Sequence, residues 1–288
     1  MPAVHYLLYD VFTDVPFAGN PLAVAIDPPP LNTTQCATVA RELNLSETIF
    51  VRTDGAHVTA RIFTPTAELP FAGHPTIGAA LALHDEGLAG NDLVIEEGVG
   101  PVEVTIRNGM ATLTTAQPPA AVDVADPDDV ARALGLTIGD LHPALGPRGW
   151  SAGVPFTVVA VRDVDVLGRT RIDLAAWQDT VALSPAPELY VIAPLEGPSG
   201  RLWRARMFAP GMGIAEDPAT GAAAAAAVGF LAGAATGDRL DEGWLITQGV
   251  EMGRPSEIYA AGVLRGADLV AATVGGRAVR VGRGELQV

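Results

Sequence analysis

AEDPATGAAAAAAVGFLAGAATG, residues 215–237, sets two carboxylates and a proline at the head of a run with no further charged residue before Asp238. Asp217 is a favoured N-cap residue and Pro218 suits the first helical position; Ala, Val, Phe and Leu then continue the helix. The predicted helix is apolar on every side, whereas a surface helix would show a polar stripe. It is expected to be wrapped on all faces, by protein or by lipid, leaving its N-terminus as a buried, positively polarised anion site. The run approaches the ~20 residues of a bilayer span. It is mostly Ala and Gly, however, with Val228, Phe230 and Leu231 as its large apolar residues and no aromatic or basic flanks, so protein is expected to do the wrapping. Small side chains suit a helix that other elements approach closely. Gly229 and Gly233 form a small-xxx-small pair, a pattern too common outside membranes to carry weight.

At 288 residues and 49% hydrophobic content the chain is long enough for two domains, each with its own core. The start, MPAVHYLLYDVF, has no basic segment followed by an apolar one and a small-residue cleavage site, so a cytoplasmic protein is the expectation, without a membrane span. Cys36 is the one cysteine, which excludes an internal disulfide and any mechanism with two opposed thiols in one chain. The formal charge is −15, and all 18 basic residues are arginines. Without lysine, neither a pyridoxal phosphate Schiff base nor a P-loop phosphate grip can form. An acidic chain with no basic stripe repels a phosphate backbone, so no nucleic-acid partner is expected. The five histidines include no HxxxH pair, and no metal or cofactor is expected.

Short strand-like runs fill the first third: His5–Phe12, Leu22–Ile26, Thr48–Arg52 and His57–Phe63. Between them Asn32–Leu43 reads as a helix opened by an Asn32/Gln35 capping box, with Cys36, Val39, Ala40 and Leu43 on one face, so Cys36 reads as a buried apolar residue. A further helix is predicted to begin near Pro75. Val102, Val104 and Ile106 alternate with Glu103, Thr105 and Arg107, as in a half-buried antiparallel strand. Gln117–Asp129, rich in Pro, Ala and Asp, reads as a linker. Val130–Leu136 and Ile172–Thr180 read as surface helices. Pro155–Val161, Glu188–Ala193 and Arg201–Phe208 read as strands, and the tail from Trp244 as strands and Gly turns. Strands dominate and do not alternate one to one with helices, which favours an α+β arrangement of antiparallel sheets around helices.

RIFTPTAELPFAGHPTIGAA (61–80) and RMFAPGMGIAEDPATGAA (206–223) share Arg, an aliphatic residue, Phe and Pro, and then Pro, Gly and two Ala. The two copies stand 145 residues apart at the arginine (61 and 206) and 143 at the second proline (75 and 218), about half the 288-residue chain. Two copies of one fold are therefore expected, as pseudo-symmetric halves that each wrap a sheet around a helix. The expected N-terminal half is 1–117, with strand 277–288 as a candidate addition; the C-terminal half is 118–276. His74 takes the N-cap place in the first copy and Asp217 in the second. A carboxylate ligand is expected among the amides of Gly73, His74, Thr76, Ala219, Thr220 and Gly221. The plainer alternative is that His74 and Asp217 only cap helices. Asn20, Gln248 and Arg254 read either as ligand contacts or as turn residues.

GNPLAVAID (19–27), LNLSETIFV (43–51), RIFTPTAELPFAGHPTIGAA, EDPATGAAAAA (216–226) and QGVEMGRPS (248–256) resemble the phenazine-biosynthesis PhzF-like family, which is similar in fold to diaminopimelate epimerase. The resemblance implies two halves, each a mostly antiparallel, barrel-like sheet around a central helix, and a homodimer. It implies proton transfer on a small cyclic carboxylate without a cofactor, Glu47 being acid and base and His74 and Asp217 its polar companions. A carboxyl in an apolar cleft has its charged form disfavoured, which suits it to take and return a proton. The epimerase-type cysteine pair is absent, with Gly73 and Asp217 near those places. Ala222 stands where many members have a serine that contacts substrate. A non-catalytic metabolite-binding protein on the same scaffold is the alternative.

Overall fold

The computed structural model describes residues 3–196, 200–234, 243–266 and 268–288. The chain forms two compact units, residues 1–114 with 275–288 and residues 115–274. Unit 1 contains β1 (Ala3–Val11), β2 (Asn20–Ile26), α1 (Thr33–Leu43), β3 (Glu47–Asp54), β4 (His57–Phe63), β5 (Glu68–Leu69), α2 (Gly73–Asp85), β6 (Asp92–Glu97), β7 (Gly100–Arg107), β8 (Met110–Thr114) and the C-terminal strand Ala278–Gln287. The C-terminal strand pairs antiparallel with β1, and β1 with β2. The sheet continues β2–β3 parallel, β3–β4 antiparallel, β4–β6 parallel and β6–β7 antiparallel.

Unit 2 contains β9 (Ala120–Val122), α3 (Pro127–Ala133), β10 (Arg148–Ser151), β11 (Pro155–Ala160), α4 (Val164–Arg169), α5 (Leu174–Asp179), β12 (Glu188–Pro194), β13 (Leu202–Ala209), β14 (Ile214–Asp217), α6 (Gly221–Ala234), β15 (Trp244–Gln248) and β16 (Ser256–Arg265). Its pairings repeat the same series: β9–β10 and β10–β11 antiparallel, β11–β12 parallel, β12–β13 antiparallel, β13–β15 parallel, β15–β16 antiparallel. The α+β class, mostly antiparallel, is as expected. The two parallel pairs per unit differ from the sequence reading. Each follows from a helix-containing crossover, which a parallel pair needs and a short hairpin cannot supply.

The apolar helices sit inside these sheets. Every residue of α2 from Gly73 to Leu83 is buried, and the helix packs on β1, β2, β3, β7 and β8. In α6, Ala223–Val228, Phe230 and Leu231 are at most 3% exposed, and the helix packs on β9, β10, β11 and β16. The part of the predicted helix from 235 to 237 lies outside the described residues. No helix among them is long and apolar enough to cross a membrane. Outer helices cover the opposite sheet faces. α1 lays Cys36, Val39 and Ala40 on Ala25, Phe50 and Phe63; α3, α4 and α5 cover Val159, Leu189, Val191 and Phe208. Strands covered on both sides lose the polar alternation of a half-exposed strand: β12 is buried from Glu188 to Ala193, whereas β7 alternates as its sequence predicts. The Asn32/Gln35 capping box is present. Residues 117–129 are not a bare linker, since they contain β9 and the start of α3, capped by Asp126.

The repeat is visible in side chains as well. Arg61 in β4 holds Glu68 of β5 through two hydrogen bonds of 2.7 and 2.8 Å and lies over the Phe63 ring. Arg206 in β13 holds Glu216 of β14 through two of 2.8 Å and lies over Phe208. Burial separates the two latches: the arginine side chains are 38% and 5% exposed. Arg206→Ala removes a buried guanidinium, leaving the half-buried Glu216 carboxylate and the Leu167 and Thr170 carbonyls without their donor, and is expected to cost about 3–5 kcal/mol, while Arg61→Ala costs below about 1 kcal/mol. Urea unfolding checks this, and equal costs contradict it. Within α6, a Cβ on Gly229 would lie 2.2 Å from the Trp150 ring, and one on Gly233 would meet nothing within 4 Å. Gly229→Ala is therefore expected to destabilise by about 1–3 kcal/mol, and Gly233→Ala to stabilise by up to about 1 kcal/mol.

Candidate active site

In unit 1, β2 and β3 run side by side with Leu22 level with Glu47, and level residues of paired strands share a face. A Cβ on Gly78 would lie 2.4 Å from Leu22 Cδ2, so this face meets α2. Glu47 Oε2 accordingly lies 3.4 Å from His74 Nδ1. His74 and Gly78 are four residues apart, on one stripe of the helix. The two side chains are only 13% and 5% exposed. Burial pushes His74 down to about 3, so the imidazole is neutral at ordinary pH and the contact is a carboxyl beside a neutral ring, not an ion pair. His74 Nε2 is buried with no hydrogen-bond partner among the described residues.

The mouth of α2 differs from the sequence reading. Ala72 is the N-cap and provides no side-chain cap; His74 is the second helical residue. The amides of Gly73 and His74 have no acceptor within the helix, and Pro75 carries none to offer. Thr76 N bonds Ala72 O at 3.3 Å, so this amide is engaged. Glu97, the last residue of β6, closes the group: it is 8% exposed, and its Oε1 lies 2.7 Å from Thr76 Oγ1. Burial raises its carboxyl to about 7. Asn20 opens β2 and is fully buried.

In unit 2 the expected caps also move. Asp217 is not an N-cap but the last residue of β14, level with Met207. Pairing with Met207 keeps the strand extended through Asp217, and α6 starts only at Gly221. Thr220 O accepts the first helical bond, from Ala224 N. Pro218 thus lies outside the helix. Thr220 Oγ1 donates to Asp217 Oδ2 at 2.5 Å. Gln248 is fully buried; its Nε2 donates to Asp217 O at 2.8 Å and Thr220 Oγ1 at 3.1 Å, and its Oε1 accepts from Thr220 N at 3.3 Å. Ala219 is fully buried beside this network, Gly221 and Ala222 open α6, and Arg254 O accepts from Ser256 Oγ. The structure therefore brings together Glu47 with His74, and Asp217 with Thr220 and Gln248.

Glu97 and Glu188 are buried carboxyls that the sequence reading did not single out. Val58 stands level with Ile95 in unit 1 and Trp203 with Ile246 in unit 2; counting on, Glu97 and Gln248 occupy equivalent strand ends. The shared Gly-Val after each, 98–99 and 249–250, was the available signal. Likewise Glu47 precedes the pair Thr48/Phe63, and Glu188 precedes Leu189/Phe208, so Glu188 is the counterpart of Glu47. It is 4% exposed, and burial raises it to about 7.

The chain matches the phenazine biosynthesis-like protein family over residues 9–284. It is 40% identical to an uncharacterised isomerase of Mesorhizobium japonicum, with 99% of both chains covered. It is 36% identical to the trans-2,3-dihydro-3-hydroxyanthranilate isomerase of Pseudomonas chlororaphis, over 98% of this chain and 99% of that one. The solved PhzF-family phenazine biosynthesis protein of Bacillus anthracis superposes with a TM-score of 0.92 over 100% of both chains, at 23% identity. The protein is thus an isomerase built on a repeated α+β unit. It belongs to the phenazine biosynthesis-like, or PhzF, family.

Glu97 and Glu188 are neutral in the fold up to about 7, whereas their ordinary value is 4.5. Between those values the folded chain binds more protons than the unfolded one, so their contribution to stability is full below 4.5 and is lost as pH rises through about 7. Glu97→Gln and Glu188→Gln are each expected to flatten this fall in chemical unfolding across that range, and an unaltered slope contradicts the assignment.

Proposed function

We propose that the chain is a cofactor-independent isomerase that moves a proton on a small cyclic carboxylate, with Glu47 removing it from one carbon and returning it to another. The observation that carries this reading is the Glu47–His74 contact at 3.4 Å at the uncapped mouth of a buried helix. A neutral imidazole beside the carboxyl orients it or passes a proton without adding a second charge. The amides of Gly73 and His74, which have no acceptor within α2, suit a substrate carboxylate and the charge that grows on it. In unit 2, Asp217 is held at the mouth of α6 through Thr220 and Gln248, a hydrogen-bonded carboxyl of its own. Isomerase names among the relatives support the reaction class. Ala222 carries no hydroxyl, so the substrate is one that does not depend on a serine there.

The test is solvent exchange followed by proton NMR in heavy water, using trans-2,3-dihydro-3-hydroxyanthranilate and a panel of cyclic amino-acid carboxylates. Wild type is expected to exchange a carbon-bound proton, and Glu47→Gln to slow exchange about 10²- to 10⁴-fold. Exchange that survives Glu47→Gln undiminished overturns the assignment of Glu47. A carboxylate that raises Tm without any exchange makes the chain a binding protein instead.

A further inference from the structure

Thr76 Oγ1 has two oxygen neighbours at the same short distance, Ala72 O at 2.7 Å and Glu97 Oε1 at 2.7 Å. A hydroxyl carries one proton, and its remaining capacity is to accept. Ala72 O is a carbonyl and can only accept, and the bond from a threonine hydroxyl to the carbonyl four residues back is a regular feature of helices. The proton of Thr76 therefore serves Ala72 O. The second contact is a hydrogen bond only if Glu97 supplies a proton of its own; with a carboxylate there, two sets of lone pairs would face each other at 2.7 Å.

Unit 2 shows what such a strand-end donor does. At the position equivalent to Glu97, the amide of Gln248 donates to Thr220 Oγ1 at 3.1 Å, and Thr220 Oγ1 donates to Asp217 Oδ2 at 2.5 Å. The pattern is a neutral donor at the strand end, a threonine at the helix mouth, and an acceptor just upstream. Gln248 can fill it in one protonation state only. Glu97 can fill it only as the acid.

We infer that Glu97 is a positioning residue, held as a neutral carboxylic acid that donates to Thr76 Oγ1 and so fixes the first turn of α2, which carries His74. Burial acts in the same direction, raising the Glu97 carboxyl to about 7. Thr76 is two residues past His74, and its two bonds tie the β6 end to the carbonyl of Ala72, just ahead of Gly73. A loosened first turn shifts His74 and disturbs its 3.4 Å approach to Glu47.

The test compares Glu97→Gln, which keeps a neutral donor, with Glu97→Met, which keeps size and loses the donor. An infrared difference spectrum between wild type and Glu97→Gln at about pH 6, below the titration of the acid, is expected to show the C=O stretch of a protonated carboxyl. In turnover of the exchange probe above, Glu97→Gln is expected to keep kcat within a few-fold, while Glu97→Met loses about tenfold or more in kcat with a smaller change in KM. A carboxylate band in place of the acid band overturns the inference, and so does a Glu97→Met enzyme as active as Glu97→Gln, which would make the role one of packing. The turnover arm rests on the proposed proton transfer; the infrared arm does not. If wild type moves no proton, the proposed function fails while the spectrum still decides the state of Glu97.

Discussion

A helix with no polar side has to be covered all round, and covering it buries its first turn. This constraint governs both units. In α2 the burial runs unbroken from Gly73 to Leu83, so the amides that any helix leaves unbonded at its start open into a low-dielectric space. Polar groups placed there are costly unless each is hydrogen-bonded or neutral. His74 is neutral because burial disfavours its charged form, and the Glu97 carboxyl is raised for the same reason. A site made of neutral and hydrogen-bonded groups can receive a negative ligand and move a proton without first losing a tightly hydrated counter-charge.

Duplication supplies the frame, and divergence at the helix mouths supplies the chemistry. The strand series is the same in both units, and the arginine latch recurs on Glu68 and Glu216. These parts only hold backbone in place, and they changed little in kind. The residues at the mouths are where the copies part: His74 corresponds to Asp217 by the aligned prolines, and Glu97 to Gln248 by strand register. Even the helix start shifts. α2 begins two residues before its proline, and α6 begins three residues after its own.

The parts of this architecture that depend on composition over many residues were legible in the sequence. An uncharged run implies a wrapped helix, the alternation from Val102 to Ile106 implies a half-buried strand, and the Asn32/Gln35 pair implies a helix start. Glu47 with His74 was legible through the family resemblance. Features set by a contest between local and distant forces were not. Asp217 and Pro218 have ideal cap propensities, yet pairing with Met207 keeps the chain extended there. Tertiary pairing overrode a preference worth about 1 kcal/mol. Glu97 sits in an acidic dipeptide that reads as a solvated strand end. Only the register of β6 against β4 turns it inward, and no single-strand pattern contains that information.

The chemistry at the mouth of α2 depends on burial deep enough to keep His74 uncharged beside Glu47. A pH titration of nitrogen-15-labelled histidine by NMR measures this directly, with His74→Asn identifying the signal. The His74 imidazole is expected to stay neutral until the pH approaches about 3. A His74 that titrates near its ordinary value of 6.5 would contradict it, because the helix mouth would then be open to water.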